Sequence, residues 1–115
     1  MKNEDKREGK RYDSINLLNY VCFDSEGQYV SQGVARTLNI SETGMKVETH
    51  EPIETRHIMV LSVGIGDDLC DIKGKVVYCN RGAEGRFESG IEFHKIGVDD
   101  YLKLLRYIDA FEKNV

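Results

Sequence analysis

Between Ile15 and Ile96 the chain repeats one pattern: a short run of β-branched, aromatic and other large apolar residues, closed by a cluster of turn formers. The first run, Ile15 to Phe23, stops at Asp24-Ser25-Glu26-Gly27. A second runs from Gln28 to Ile40, with Tyr29, Val30, Val34 and Leu38, and its Gly33 is expected to mark a bulge or bend. Gly44 to Glu48 is a short third strand with Met45 and Val47 on one face, followed by the only proline, Pro52. His57 to Val63 is broken by Gly64, Gly66, Asp67 and Asp68. Leu69 to Cys79 alternates Ile72, Val76 and Tyr78 with more polar neighbours, and Asn80 to Gly85 closes it. Arg86 to Ile96 is the sixth, with Ile91 and Phe93 inward and Glu92 and His94 outward.

The period then changes. Tyr101, Leu104, Leu105, Ile108 and Phe111 recur at steps of three and four, the stripe of an amphipathic helix, and Asp99 and Asp100 put negative charge at its start. Six strands on short turns have vulnerable edges unless they close on themselves. The chain is therefore predicted to be mainly β, a six-stranded antiparallel barrel with a C-terminal α-helix. Tyr101, Tyr107 and Phe111 are expected to pack that helix on the barrel mouth or flank. One domain accounts for all 115 residues. Residues 1–13 are expected to form a flexible N-terminal segment, 14–97 the barrel and 98–113 the helix.

Composition narrows the function. A net charge of −4 argues against a general binder of nucleic acid or membrane, so any anion site has to be local. Cys22, Cys70 and Cys79 show no CxxC spacing and read as buried small hydrophobes in a reducing compartment. His50, His57 and His94 supply no close ligand pair, so no metal is expected. No apolar run is long enough to span a bilayer and no signal-peptide core follows Met1, which places the chain in the cytoplasm. Neither a nucleophile elbow nor metal-ligand spacing appears, so no catalytic residue or cofactor is expected. Glu92 beside His94 reads as a polar strand face.

Two short segments carry chemistry. Lys6-Arg7-Glu8-Gly9-Lys10-Arg11 holds four cations and one anion. Arg7 and Arg11 point the same way in either an extended or a helical segment, because four is near the helical period of 3.6 and a multiple of the strand period of two. Gly9 between them disfavours a helix by about 0.5–1 kcal/mol relative to alanine. Two guanidinium forks on a hinge suit a planar or phosphorylated anion, although a basic terminus is most often simply solvated. About thirty residues further on, Asn39-Ile40-Ser41-Glu42-Thr43-Gly44 places Asn39 and Ser41 on one face of a strand end while Ile40 turns inward. Gly44 is expected to take the positive φ of a tight turn. Asn, Ser and Gly are also the residues of an ordinary turn.

Together, Arg7-x-x-x-Arg11 and Asn39-x-Ser41-x-x-Gly44 resemble the two-part signature of the PilZ domain family, RxxxR followed by [D/N]xSxxG. Gly44-Met45-Lys46-Val47 follows the second motif as that family's strand does. Val76-Val77-Tyr78 is similar to its apolar penultimate strand, and Gly90-Ile91-Glu92-Phe93 to its closing strand. The resemblance implies a six-stranded PilZ-type barrel that binds the bacterial second messenger cyclic di-GMP. By it, Arg7 and Arg11 grip phosphate, pair with guanine or stack on it. Asn39 and Ser41 would read a guanine edge or its linkage, and Gly44 would admit close backbone approach. Many members carry Asp where this chain has Asn39, and an amide has one acceptor oxygen where a carboxylate has two. Lys6 is expected to help hold a second ligand molecule through its phosphate.

The function so implied is a non-catalytic receptor. Ligand orders the N-terminal segment and the signal passes to an effector of motility, exopolysaccharide export or attachment. The receptor itself would be a monomer or weak dimer, with no nucleic-acid polymer as partner and no membrane insertion. The rival readings are a PilZ-like interaction scaffold without nucleotide, and a small-barrel binder of single-stranded nucleic acid. The acidic balance and the absence of tryptophan disfavour the second.

Overall fold

Alternation of apolar and polar residues does most of the building. The computed structural model describes residues 17–113. Six strands, β1 Leu17–Phe23, β2 Tyr29–Ile40, β3 Gly44–Thr49, β4 Ile58–Ile65, β5 Asp68–Arg81 and β6 Phe87–Phe93, precede helix α1, Val98–Lys113. The strands pair antiparallel in the order β1-β2-β3-β6-β5-β4, and β4 returns to β1 to close the barrel. The fold class expected from the sequence is the one observed. The last strand stops at Phe93, not Ile96, and the fifth runs on to Arg81.

Inward positions come every second residue: Leu18, Tyr20 and Cys22 on β1, Met45 and Val47 on β3, Met59, Leu61 and Val63 on β4, Cys70 and Ile72 on β5. Burial pushes the Cys22 and Cys70 thiols up, so both stay neutral. Cys79 lies past this set and is only half-buried, against expectation. Large and small residues alternate across the interior. Tyr20 pairs with Gly33, where a Cβ would stand 3.0 Å from the Tyr20 hydroxyl. Gly33 therefore sits in an unbroken ladder and makes room for a ring. It is not the bulge its position in the sequence suggested.

The bulges that position the outer face lie elsewhere. On β2, Thr37 pairs with Val47 but Asn39 pairs with Lys46, so Leu38 is extra. On β5, Val76 pairs with Ile91 but Tyr78 pairs with Gly90, so Val77 is extra. Thr37 and Val76 face inward, 2% and 0% exposed, and regular alternation would turn Asn39 and Tyr78 inward as well. Each inserted residue rotates the next side chain outward. Tyr78 is accordingly exposed and does not share a face with Ile72 and Val76.

One end of the barrel gathers the start of β1, the β2–β3 turn, the β4–β5 turn and the exit from β6. Helix α1 closes that end. Its apolar stripe buries Leu104, Tyr107 and Phe111. The Tyr107 hydroxyl meets that of Thr37 at 2.9 Å, which satisfies two polar groups inside the mouth. Burial pushes the Tyr107 phenol up, partly offset by that bond. Arg106 pairs with Asp68 at 3.0 Å on the rim. Tyr101 departs from the expected packing role. It is half-buried and donates to the Glu42 carboxylate in the β2–β3 turn at 2.5 Å. Among the described residues no helix is long and apolar enough to cross a membrane.

Candidate functional site

The two bulges set up one cross-strand row on the outside of the barrel. Asn39 pairs with Lys46, Lys46 with Gly90 and Gly90 with Tyr78, spanning β2, β3, β6 and β5. The row floors a surface cleft of ≈ 290 Å³ whose rim includes Ser41, Gly44 and Val77. Gly90 keeps the floor flat, and the Tyr78 ring lies across it where a Cβ would otherwise stand. One end of the cleft thus offers an aromatic side chain and the other a neutral polar pair.

Asn39 and Ser41 are both exposed, and Ile40 between them is buried. The Asn39 Oδ1 accepts the Ile40 amide at 2.8 Å, which fixes the side chain and turns its NH₂ group outward. One lone pair of its single acceptor oxygen is therefore engaged, and its NH₂ group offers donors suited to guanine O6 and N7 or to a phosphate oxygen. Ser41 ties the turn together. Its amide donates to the Gly44 carbonyl at 2.8 Å, and its hydroxyl, 3.3 Å from the same oxygen, accepts the Thr43 amide at 3.3 Å. The Thr43 carbonyl accepts the Phe93 amide at 2.9 Å, and Tyr101 holds Glu42 from the helix. That bond to Glu42 raises the Tyr101 phenol above its ordinary value. The motif is a rigid turn fastened to β6 and α1.

Gly44 serves a different purpose from the one its place in a turn suggested. Its φ is not positive. Instead a Cβ there would collide with the backbone carbonyl of Ile91 on the neighbouring strand. The glycine lets β3 and β6 come together under the turn. Gly44→Ala should therefore cost about 1–3 kcal/mol as the strands separate. The expected readout is a lower urea midpoint at unchanged slope, and an unaltered midpoint would sink this account.

Asn39, Ser41 and Gly44 thus converge at one cleft. Lys6, Arg7 and Arg11 lie outside the described residues. Lys46, Tyr78 and Gly90 line the same cleft and were not singled out from the sequence. The pairings of Asn39 with Lys46 and of Tyr78 with Gly90 identify them, and those pairings exist only because Leu38 and Val77 are bulged. Lys46 is partly neutralised by Glu88, 3.9 Å away. No cluster of His, Cys, Asp and Glu able to hold a metal occurs among the described residues.

A closed six-stranded barrel with a polar strand-end motif on its outer face and a helix across one mouth defines a class of small β-barrel binding domains. Within that class the chain belongs to the PilZ family: the PilZ domain profile matches residues 5–110. Two solved structures share the fold. One is the PilZ domain of CeSA from a cellulose-synthesizing bacterium, at TM-score 0.58 and 11% identity, covering 84% of this chain and 93% of that one. The other is the PilZ domain of YcgR from Escherichia coli with c-di-GMP, at TM-score 0.62 and 13% identity, covering 84% of this chain and 82% of that one. No match to a curated protein reaches significance.

Proposed function

We propose that this protein is a non-catalytic receptor for cyclic di-GMP, which clamps the ligand between its N-terminal arginines and the outer-face cleft. The observation that carries the reading is the bulged row. It aligns the donors of Asn39, the flat strand at Gly90 and the ring of Tyr78 beside the Ser41–Gly44 turn. A ligand with two guanines and two phosphates needs edge readers, stacking surface and cations. The cleft offers the first two, and Arg7 and Arg11 supply the third. The YcgR domain that shares this fold holds the same nucleotide.

Chain geometry allows the clamp to close. Six Cα-to-Cα steps lead from Arg11 to Leu17, a reach of at most about 22 Å. Leu17 pairs with Arg36, and Arg36 lies one side-chain repeat, about 7 Å, from Asn39 along the bulged strand. Binding sets charge-assisted hydrogen bonds of about 1.5–3 kcal/mol each against the cost of ordering the segment. The ordered segment then presents a new surface, with Lys6 contacting a second ligand molecule, to an effector of motility, polysaccharide export or attachment. The compartment is the cytoplasm.

Isothermal calorimetry of the full chain with cyclic di-GMP tests the reading. Saturable binding at two ligands per protomer is the expected result. A ratio of one would remove the role of Lys6. Absence of binding at millimolar ligand would leave the chain as a PilZ scaffold for protein contacts alone.

A further inference from the structure

The bulge at Leu38 does more than expose Asn39. Arg36 and Asn39 stand three apart in sequence, a spacing that puts side chains on opposite faces of a regular strand. Their partners, Glu48 and Lys46, are only two apart, so the extra residue brings Arg36, Asn39 and Ser41 onto the same outer face. Arg36 therefore projects one side-chain repeat from the cleft. It occupies the position between Glu48 of β3 and Leu17, the residue at which the N-terminal segment joins the barrel.

Among the described residues its charge is uncommitted. The carboxylate opposite it, Glu48, is 3.8 Å from Arg86, which also reaches Glu84 at 3.5 Å. Lys46 lies near Glu88. Arg36 makes no ion pair among the described residues, although Glu48 stands opposite it on β3. Around it lies a second, adjoining cleft of ≈ 190 Å³ lined by Leu17, Val34, Glu48, His50 and Arg86. Leu17 and Val34 are 48% and 53% exposed and give that cleft an apolar wall. A guanidinium beside exposed apolar surface, next to an amide that presents donors, matches a nucleotide whose base and phosphate are separated by a sugar.

We infer that Arg36 is a third arginine of the ligand site, donating to a phosphodiester of the cyclic dinucleotide whose guanine lies at Asn39 and Ser41. The inference rests on the proposed cyclic di-GMP function and deepens it. It enlarges the fixed jaw from a neutral pair into a neutral pair with a cation. It also gives the ligand a phosphate contact on the rigid barrel.

Calorimetry on three full-length variants tests this. Arg36→Gln removes the charge and leaves a shorter, still polar side chain, and should weaken cyclic di-GMP binding by about 10- to 100-fold at unchanged melting temperature. Arg36→Lys restores a point charge without the fork and should fall between the two. Arg106→Gln removes one positive charge from the helix and should bind as the unaltered chain does. If Arg36→Gln binds within twofold of the unaltered chain, Arg36 has no ligand role although the receptor reading stands. Equal losses in Arg36→Gln and Arg106→Gln would mean that net charge alone is responsible, which also overturns the assignment. If the unaltered chain binds no ligand, the receptor function fails and this inference goes with it.

Discussion

Arg11→Ala is expected to weaken cyclic di-GMP binding by about 100-fold or more, below calorimetric detection, while thermal unfolding of the barrel stays where it was. The magnitude follows from the fork. A guanidinium that donates two charge-assisted bonds of about 1.5 kcal/mol each loses about 3 kcal/mol on truncation, before any loss of stacking. Stability should not follow, because the barrel closes by pairing β1, from Leu17 onward, with β4, and the described core residues from Leu18 to Phe111 form one cluster. Arg7→Ala should behave alike if both side chains contact ligand. The discriminating measurement pairs calorimetry with a melting curve on each variant. Full affinity in both would refute the two-jawed clamp, and a parallel drop in melting temperature would move the arginines from the site to the fold.

The division between jaws also marks what the sequence could disclose. Strand positions were legible because alternation is local: Met45 and Val47, or Ile91 against Glu92, declare their faces within a few residues. Helix α1 was legible for the same reason, through its three-four stripe. What stayed hidden depends on the partner strand. Tyr78 reads as inward by its step from Val76, and only the ladder shows one extra residue opposite Ile91 and Gly90. Gly44 reads as a turn residue, whereas the atom that demands glycine is a carbonyl on β6, almost fifty residues away. Gly33 looks like a break and instead accommodates the Tyr20 ring. Asn39 and Ser41 were placed on the correct face because Ile40 anchors the count locally. Arg36, counted from the same anchor without the bulge, falls on the wrong face.

A large loss of stability should come from the helix as well as from the strands. Leu104→Ala is expected to cost about 2–5 kcal/mol, a substantial part of the roughly 5–15 kcal/mol that holds a domain of this size. Leu104 is 0% exposed and sits between Tyr107 and the barrel end, so its removal leaves a cavity that the closed sheet cannot collapse to fill. Leu102 supplies the comparison. Two residues away but 54% exposed, it should cost less than about 0.5 kcal/mol when replaced by alanine. Urea denaturation of both variants, read at the midpoint, decides the matter. Equal midpoints would mean that α1 does not plug the barrel in solution. The consequence reaches the candidate cleft, because Tyr101 on the same helix holds Glu42 in the turn that carries Ser41. A helix loosened by Leu104→Ala releases that tether, so hydrogen exchange should rise at Ser41–Gly44 as well as along α1. Protection unchanged at the turn would show that the Ser41 bonds alone hold the rigid jaw.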